Sequence, residues 1–144
     1  MTRNPTNASP DTTGTRELEI AVIQPAARRC EEHWNLRRVQ GLVRDAVREH
    51  HPDIVVLPEA YNTSNVCHAD RRRLPVAIDG APCRLLKQMA RELGGCVSGG
   101  DVSLRGAQPR HSCVVAEPVG TTYLHDTDDP SVWEYCSQFP AVAA

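Results

Sequence analysis

The residue of this chain best placed to do chemistry is Glu59, in the run Asp53-Ile54-Val55-Val56-Leu57-Pro58-Glu59-Ala60-Tyr61. Four successive apolar residues, Ile54 to Leu57, predict a strand buried on both faces. Pro58 has no amide hydrogen to give to a sheet ladder, so the strand is expected to end there. Glu59 is then delivered at the carboxyl end of a parallel strand, where open α/β sheets bind their ligands. A carboxylate is costly to bury there without a partner or a task. The plain alternative for Glu59 is a capped strand end.

The other reactive side chains form no pattern of comparable weight. Six cysteines, at 30, 67, 83, 96, 113 and 136, show neither CxxC nor zinc-ligand spacing and are expected to be reduced thiols, mostly small buried residues. His50-His51-Pro52 is expected to be a solvated connection, and Arg71-Arg72-Arg73 a solvated face, with a phosphate or carboxylate site as the alternative. Asp126-Thr127-Asp128-Asp129, next to His125, lacks the alternating ligands and sharp-turn glycine of a calcium loop. No metal and no cofactor is expected.

The elements that must position Glu59 follow from periodicity. Leu18 to Ile23 forms a first strand, closed by Gln24-Pro25. From Asn35 to Glu49, Leu36, Val39, Leu42, Val43, Ala46 and Val47 recur at helical spacing, so residues 18–57 make a βαβ unit with parallel strands. A polar loop, Tyr61 to Cys67, follows Glu59 directly. Asp79-Gly80-Ala81-Pro82 starts a second helix with proline in its first turn. Leu85, Leu86, Met89, Ala90 and Leu93 form its buried stripe, and Gly94-Gly95 ends it. Cys96–Leu104 and Ser112–Ala116 are two strands joined by the polar loop Arg105–Arg110, and a turn at 117–120 leads to a last strand, Thr121–His125. The predicted order is βαβαβββ, an α/β chain.

Composition bounds what such a chain does. At 144 residues it is one domain with one modest core. A formal net charge of -2 gives no electrostatic case for nucleic acid or for an anionic membrane. Residues 1–16 are polar and rich in Thr and Pro, which predicts a disordered tail and not a signal peptide, so a cytoplasmic protein is expected. The sequons at Asn7 and Asn62 are then chance matches. Lys87 is the single lysine among sixteen basic side chains.

Taken together, IAVIQ (20–24), VVLPEAYNTSN (55–65), ARELGGCVSGG (90–100), SCVVAEPVG (112–120) and YLHDTDDPSVWE (123–134) resemble the amino-terminal half of the nitrilase, or carbon–nitrogen hydrolase, superfamily. The resemblance covers about residues 17–136 and leaves 137–144 as an unstructured tail. It implies a partial α-β-β-α sandwich with its second half absent, and cofactor-free hydrolysis of nitrile, amide or carbamoyl C–N bonds. The family's triad is Glu-Lys-Cys: the cysteine attacks, the glutamate is general base and acid, and the lysine stabilises the tetrahedral intermediate. A thiol needs a nearby base to become a good nucleophile, and the oxyanion it generates needs a fixed positive donor.

Glu59 matches the family's glutamate. The lysine lies in a stretch resembling HxKDxPxxWE, and here the run from His125 to Glu134 puts Thr127 at that position. The family's cysteine sits on a later strand-to-helix elbow, beyond this chain's last residue, and none of the six cysteines is identified with it. Glu134 matches a second glutamate near the triad in many members; a surface carboxylate after Trp133 is the equal alternative. The resemblance thus implies a hydrolase by descent, truncated before its nucleophile and inactive alone. Its small-molecule substrate would be met only in an active form. A half-sandwich is also expected to leave a sheet face uncovered, and so to self-associate or pair with a homologous chain. A non-catalytic assembly module is the alternative function.

Overall fold

The computed structural model describes residues 16–64, 77, 79–105 and 108–126, with the backbone alone at 101–105 and 108–110. Seven elements run in the order β1 (Ile20–Val22), α1 (Glu32–His50), β2 (Ile54–Glu59), α2 (Ala81–Leu93), β3 (Cys96–Arg105), β4 (Gln108–Ala116) and β5 (Thr122–Asp126). This is the expected βαβαβββ order. The five strands form one sheet in sequence order. β1, β2 and β3 are parallel, and β3, β4 and β5 continue as an antiparallel meander.

Each helix ends where its sequence stops supporting it. At the end of α1, His51 turns left-handed (φ 52°) and its N–H reaches the Val47 carbonyl at 3.0 Å. Pro52 follows, which disfavours further helix at the residue before it. Pro82 occupies the first turn of α2, and Gly94 closes that helix at φ 72°, donating to the Ala90 carbonyl at 2.9 Å. The buried stripe of α1 (Val39, Val43) and that of α2 (Cys83, Leu86, Met89, Ala90) pack with Val55, Leu57, Val97, Val114 and Ala116 of the sheet into one core. Arg44 of α1 grips Glu92 of α2 with two hydrogen bonds of 3.0 Å. That grip, with a further hydrogen bond from Gln88, holds the Glu92 carboxyl below the usual carboxylate range.

Both helices cover the same face of the sheet, which corrects the expectation that β2 is buried on both sides. Val55 and Leu57 point into the core, whereas Ile54 and Val56 are only half-buried on the other face. Along that open face Ile20 is 55% exposed, Val22 67% and Tyr123 56%. Apolar β-branched runs form strands whether one face is covered or two, so the run alone could not tell them apart.

Boundaries differ at several ends. β1 is three residues and not six. α1 begins at Glu32, and β4 begins at Gln108, inside the segment expected to be a polar loop. The ladder between β3 and β4 continues to the pair Arg105 and Gln108, because the pairing of the two strands overrides the polarity of their tips. Arg16, assigned by sequence to the N-terminal tail, forms an ion pair with Asp53 at 2.5 Å. Of the four described cysteines only Cys83 is fully buried; Cys30 and Cys113 are exposed, against the expectation of mostly buried thiols. Asn62 is wholly buried, which removes its sequon as an acceptor in this fold. The Arg71-Arg72-Arg73 run, Asp128, Asp129 and the C-terminal tail lie outside the described residues.

Candidate active site

The backbone decides which way Glu59 faces. Ile54 and Val56 lie on the open face, so simple alternation would turn Glu59 toward the helices. Between Val56 and Glu59, however, β2 advances three residues while its partner β3 advances two, from Ser98 to Gly100. The extra residue is a bulge of the kind that re-aims a side chain near the end of a strand. It returns Glu59 to the open face, opposite Gly100. The strand therefore continues one residue past Pro58, where the sequence predicts its end.

Gly100 makes the placement possible. A β-carbon on Gly100 would lie 3.0 Å from the Glu59 Cα, 3.3 Å from its Cγ and 3.4 Å from its Cβ. With none there, the Glu59 side chain passes over β3 to β4, where its Oε1 meets Nδ1 of His111. The His111 side chain is 8% exposed and that of Glu59 60%. The carboxylate is thus presented to solvent on a buried imidazole, and it is not the buried group expected from the sequence. A protonated His111 would pair with it as an ion pair, a neutral one as a hydrogen-bond donor.

The loop after Glu59 is tied down residue by residue. Ala60 adopts φ 54° and donates its N–H to the Gly100 carbonyl at 3.0 Å. Tyr61 turns to the helix side and is buried over Gly99, where a β-carbon would come within 2.7 Å of its ring. The buried side chain of Asn35, on α1, joins this loop to the one following β1. Its Nδ2 donates to the carbonyls of Asn62 and Arg28, both at 2.7 Å, and its Oδ1 accepts from the Arg28 N–H at 2.7 Å. Cys30 N–H adds a bond to the Thr63 carbonyl at 3.2 Å.

The register extends the site sideways. Glu59 is paired with Gly100, Gly100 with Cys113, and Cys113 with His125, one row across four strands. Paired residues share a face, so the row lies on the open side of the sheet. On the opposite face, buried Ser112 donates its hydroxyl to Asp126 at 2.5 Å. Asp126 therefore holds β4 to β5. Among the described residues no group of three or more His, Cys, Asp or Glu is arranged to hold a metal. A groove of about 280 Å³ lies between α1 and α2, lined by Leu36, Gln40, Leu85 and Gln88, on the far side of the sheet from Glu59.

Of the residues singled out by sequence, Glu59 is thus placed, whereas Thr127 and Glu134 lie outside the described residues. Sequence reasoning misses Asn35 and His111. Asn35 looks like the first residue of a helix, and nothing in its neighbours marks it as a clamp. His111 falls between the expected loop, Arg105–Arg110, and the expected strand from Ser112; continuing the strand alternation backward from Cys113 would have placed it on the face of Glu59.

The family model for carbon–nitrogen hydrolases matches residues 19–126. This chain belongs to the carbon–nitrogen hydrolase family. Solved structures agree on the fold. A CN-hydrolase superfamily protein from Xanthomonas campestris, with an arsenic adduct in its active site, superposes with a TM-score of 0.76 at 18% identity, over 87% of this chain and 46% of its own. An N-terminal amidase bound to a Gln-Val peptide gives 0.76 at 17% identity, over 84% of this chain and 30% of its own. Saccharomyces cerevisiae Nit3, of branch 10 of the nitrilase superfamily, gives 0.72 at 15% identity, over 85% and 48%. No curated protein sequence is significantly similar. This carbon–nitrogen hydrolase chain spans less than half the length of these three structures, and its five-stranded sheet with helices on one face is a partial αβ sandwich. Among the described residues no helix is long and apolar enough to cross a membrane.

Proposed function

We propose that this chain supplies the general-base part of a hydrolytic site for nitrile, amide or carbamoyl C–N bonds, with Glu59 as the base and His111 as the residue that holds it. The observation that carries the reading is the contact of Glu59 Oε1 with His111 Nδ1 across the bare backbone of Gly100. In this reaction class the carboxylate takes the proton of an attacking thiol and returns it to the departing nitrogen. A carboxylate exposed on one side and held by a buried donor on the other suits both steps. The imidazole fixes its orientation.

The remaining chemistry is not supplied by these 144 residues. Threonine stands at the position matching the family's lysine, and it offers a hydrogen bond without charge. Loss of one oxyanion donor costs about 10²- to 10³-fold in rate. With no cysteine in the family's elbow context either, the chain alone is inactive or nearly so. Ammonia release from a panel of simple amides, carbamoyl amino acids and nitriles tests this, with release at the buffer rate as the expected result. Release abolished by Glu59→Gln would show a complete site and overturn the inactivity. Release that survives Glu59→Gln would overturn the role of Glu59.

A second reading, a non-catalytic assembly module, is favoured by the open apolar face bearing Ile20, Val22 and Tyr123. Exposed apolar sheet surface of this kind marks an interaction site. Co-elution with a full-length relative in size-exclusion chromatography is the result expected of such a module, and separate elution would sink it.

A further inference from the structure

We propose that the groove between α1 and α2 binds a small monocarboxylate with a short apolar tail. Each helix joins two neighbouring parallel strands, so the two run side by side in the same direction. Their facing residues keep one offset. Arg44 grips Glu92, 48 positions away. The residues lining the groove repeat that offset one and two turns earlier: Gln40 and Gln88, then Arg37 and Leu85 beside Leu36 and Arg84.

Charge separates the two ends of this seam. At Arg44 the cation of one helix meets the carboxylate of the other. In the groove, Arg37 comes from one helix and Arg84 from the other, and no carboxylate is among the lining residues. Arg84 is already held in place, since its Nη1 donates to the Asp79 carbonyl at 2.6 Å. The first turn of α2 carries no acidic residue, and no side chain caps it, so the positive end of that helix adds to the arginines. On α1, Glu31 and Glu32 line a neighbouring depression, and Glu31 is taken by Arg28. Two cations thus flank one cavity without an anion, in a chain whose net charge is -2.

The lining selects the ligand. A guanidinium fork donates paired hydrogen bonds to a carboxylate, and Leu36 and Leu85 beside the two forks offer apolar surface to a tail. Gln40 and Gln88 follow one turn along, and Gln88 Nε2 donates to Glu92 at 2.7 Å, so the groove ends against the Arg44–Glu92 grip. The Glu92 carboxylate there disfavours a second acidic group on the tail, which points to a monocarboxylate. The cavity, about 280 Å³, lies at the lower end of the range for small-molecule sites, which limits the tail to a few carbons. Inorganic phosphate would use the arginines but leave the leucines wet. The groove lies on the helix side of the sheet, so the inference does not rest on the chemistry proposed for Glu59.

The test is titration of the nitrogen-15-labelled intact chain with hexanoate, acetate and inorganic phosphate at fixed ionic strength, read at the arginine Nε–H signals. Arg37 and Arg84 are expected to shift together and to saturate at one midpoint. Burial of about two methylenes against the leucines should make hexanoate about tenfold tighter than acetate. Arg37→Gln and Arg84→Gln should each weaken hexanoate by at least about fivefold. Arg38→Gln removes an equal charge from α1 at an exposed position outside the groove and should leave the midpoint unchanged. Shifts that never saturate, or an equal loss in Arg38→Gln, would overturn the site. Acetate or phosphate binding as tightly as hexanoate would overturn the ligand class. Ammonia release is not read, so this result and that for carbon–nitrogen hydrolysis fail or hold separately.

Discussion

Replacing Gly100 by alanine tests the geometry that brings Glu59 to His111. The new methyl would sit 3.0 Å from the α-carbon of Glu59, where about 3.4 Å begins ordinary packing, so the β2 backbone must give by about 0.4 Å. The approach to Cγ, at 3.3 Å, involves a largely exposed side chain and yields more easily. Overpacking of this kind costs about 1–3 kcal/mol. The loss of chain freedom in the unfolded state returns about 0.4–1 kcal/mol. The expected net loss is about 1–2 kcal/mol, measured by urea unfolding. Gly41, in the middle of α1 with nothing within 4 Å of a β-carbon, is the control; Gly41→Ala should gain about 0.5–1 kcal/mol. Adding Glu59→Ala to Gly100→Ala relieves the crowding at Cγ but not that at the backbone of β2, so it should recover only part of the loss. Gly100→Ala as stable as Gly41→Ala would refute the close approach of β2 and β3 at Glu59.

Three further outcomes follow from the same structure. Asn35→Ala removes three hydrogen bonds of 2.7 Å from a buried clamp and should cost about 3 kcal/mol in urea unfolding. Gly99→Ala puts a methyl 2.7 Å from the Tyr61 ring; a loss of about 2 kcal/mol with a changed near-ultraviolet circular dichroism spectrum is expected. Glu92 titrates below its usual range because of Arg44 and then Gln88, so its contribution to stability is present above the unfolded carboxyl range and is lost as pH falls through the lowered folded value. Glu92→Gln should therefore flatten the acid side of the stability–pH curve, and added salt should diminish the difference.

The fold was legible because its elements are strongly patterned. The stripe of α1, the Pro82 start and Gly94 end of α2, and the apolar run before Glu59 each specify type as well as place. Glu59 itself could be singled out from its position after that run. What surrounds it could not, since His111 and Asn35 act through contacts between segments 52 and 27 residues apart. The bulge before Glu59 has no composition mark beyond Pro58, a residue that by itself reads as a strand end. Exposure of the second sheet face was hidden in the apolar run itself, because β-branched residues suit a strand whatever packs above it, and only the resemblance to half a sandwich implied it. The polar tips of β3 and β4 look like loop for a related reason. Cross-strand pairing, and not local hydropathy, fixes their extent.

The central claim is that the Glu59 carboxylate crosses Gly100 to rest on His111. The most direct measurement is the imidazole nitrogen spectrum of the labelled chain before and after Glu59→Gln. The account predicts that the His111 ring signals shift, while those of His50 and His51, on exposed residues at the far end of α1, stay in place. Unmoved His111 signals in a folded Glu59→Gln variant would contradict it.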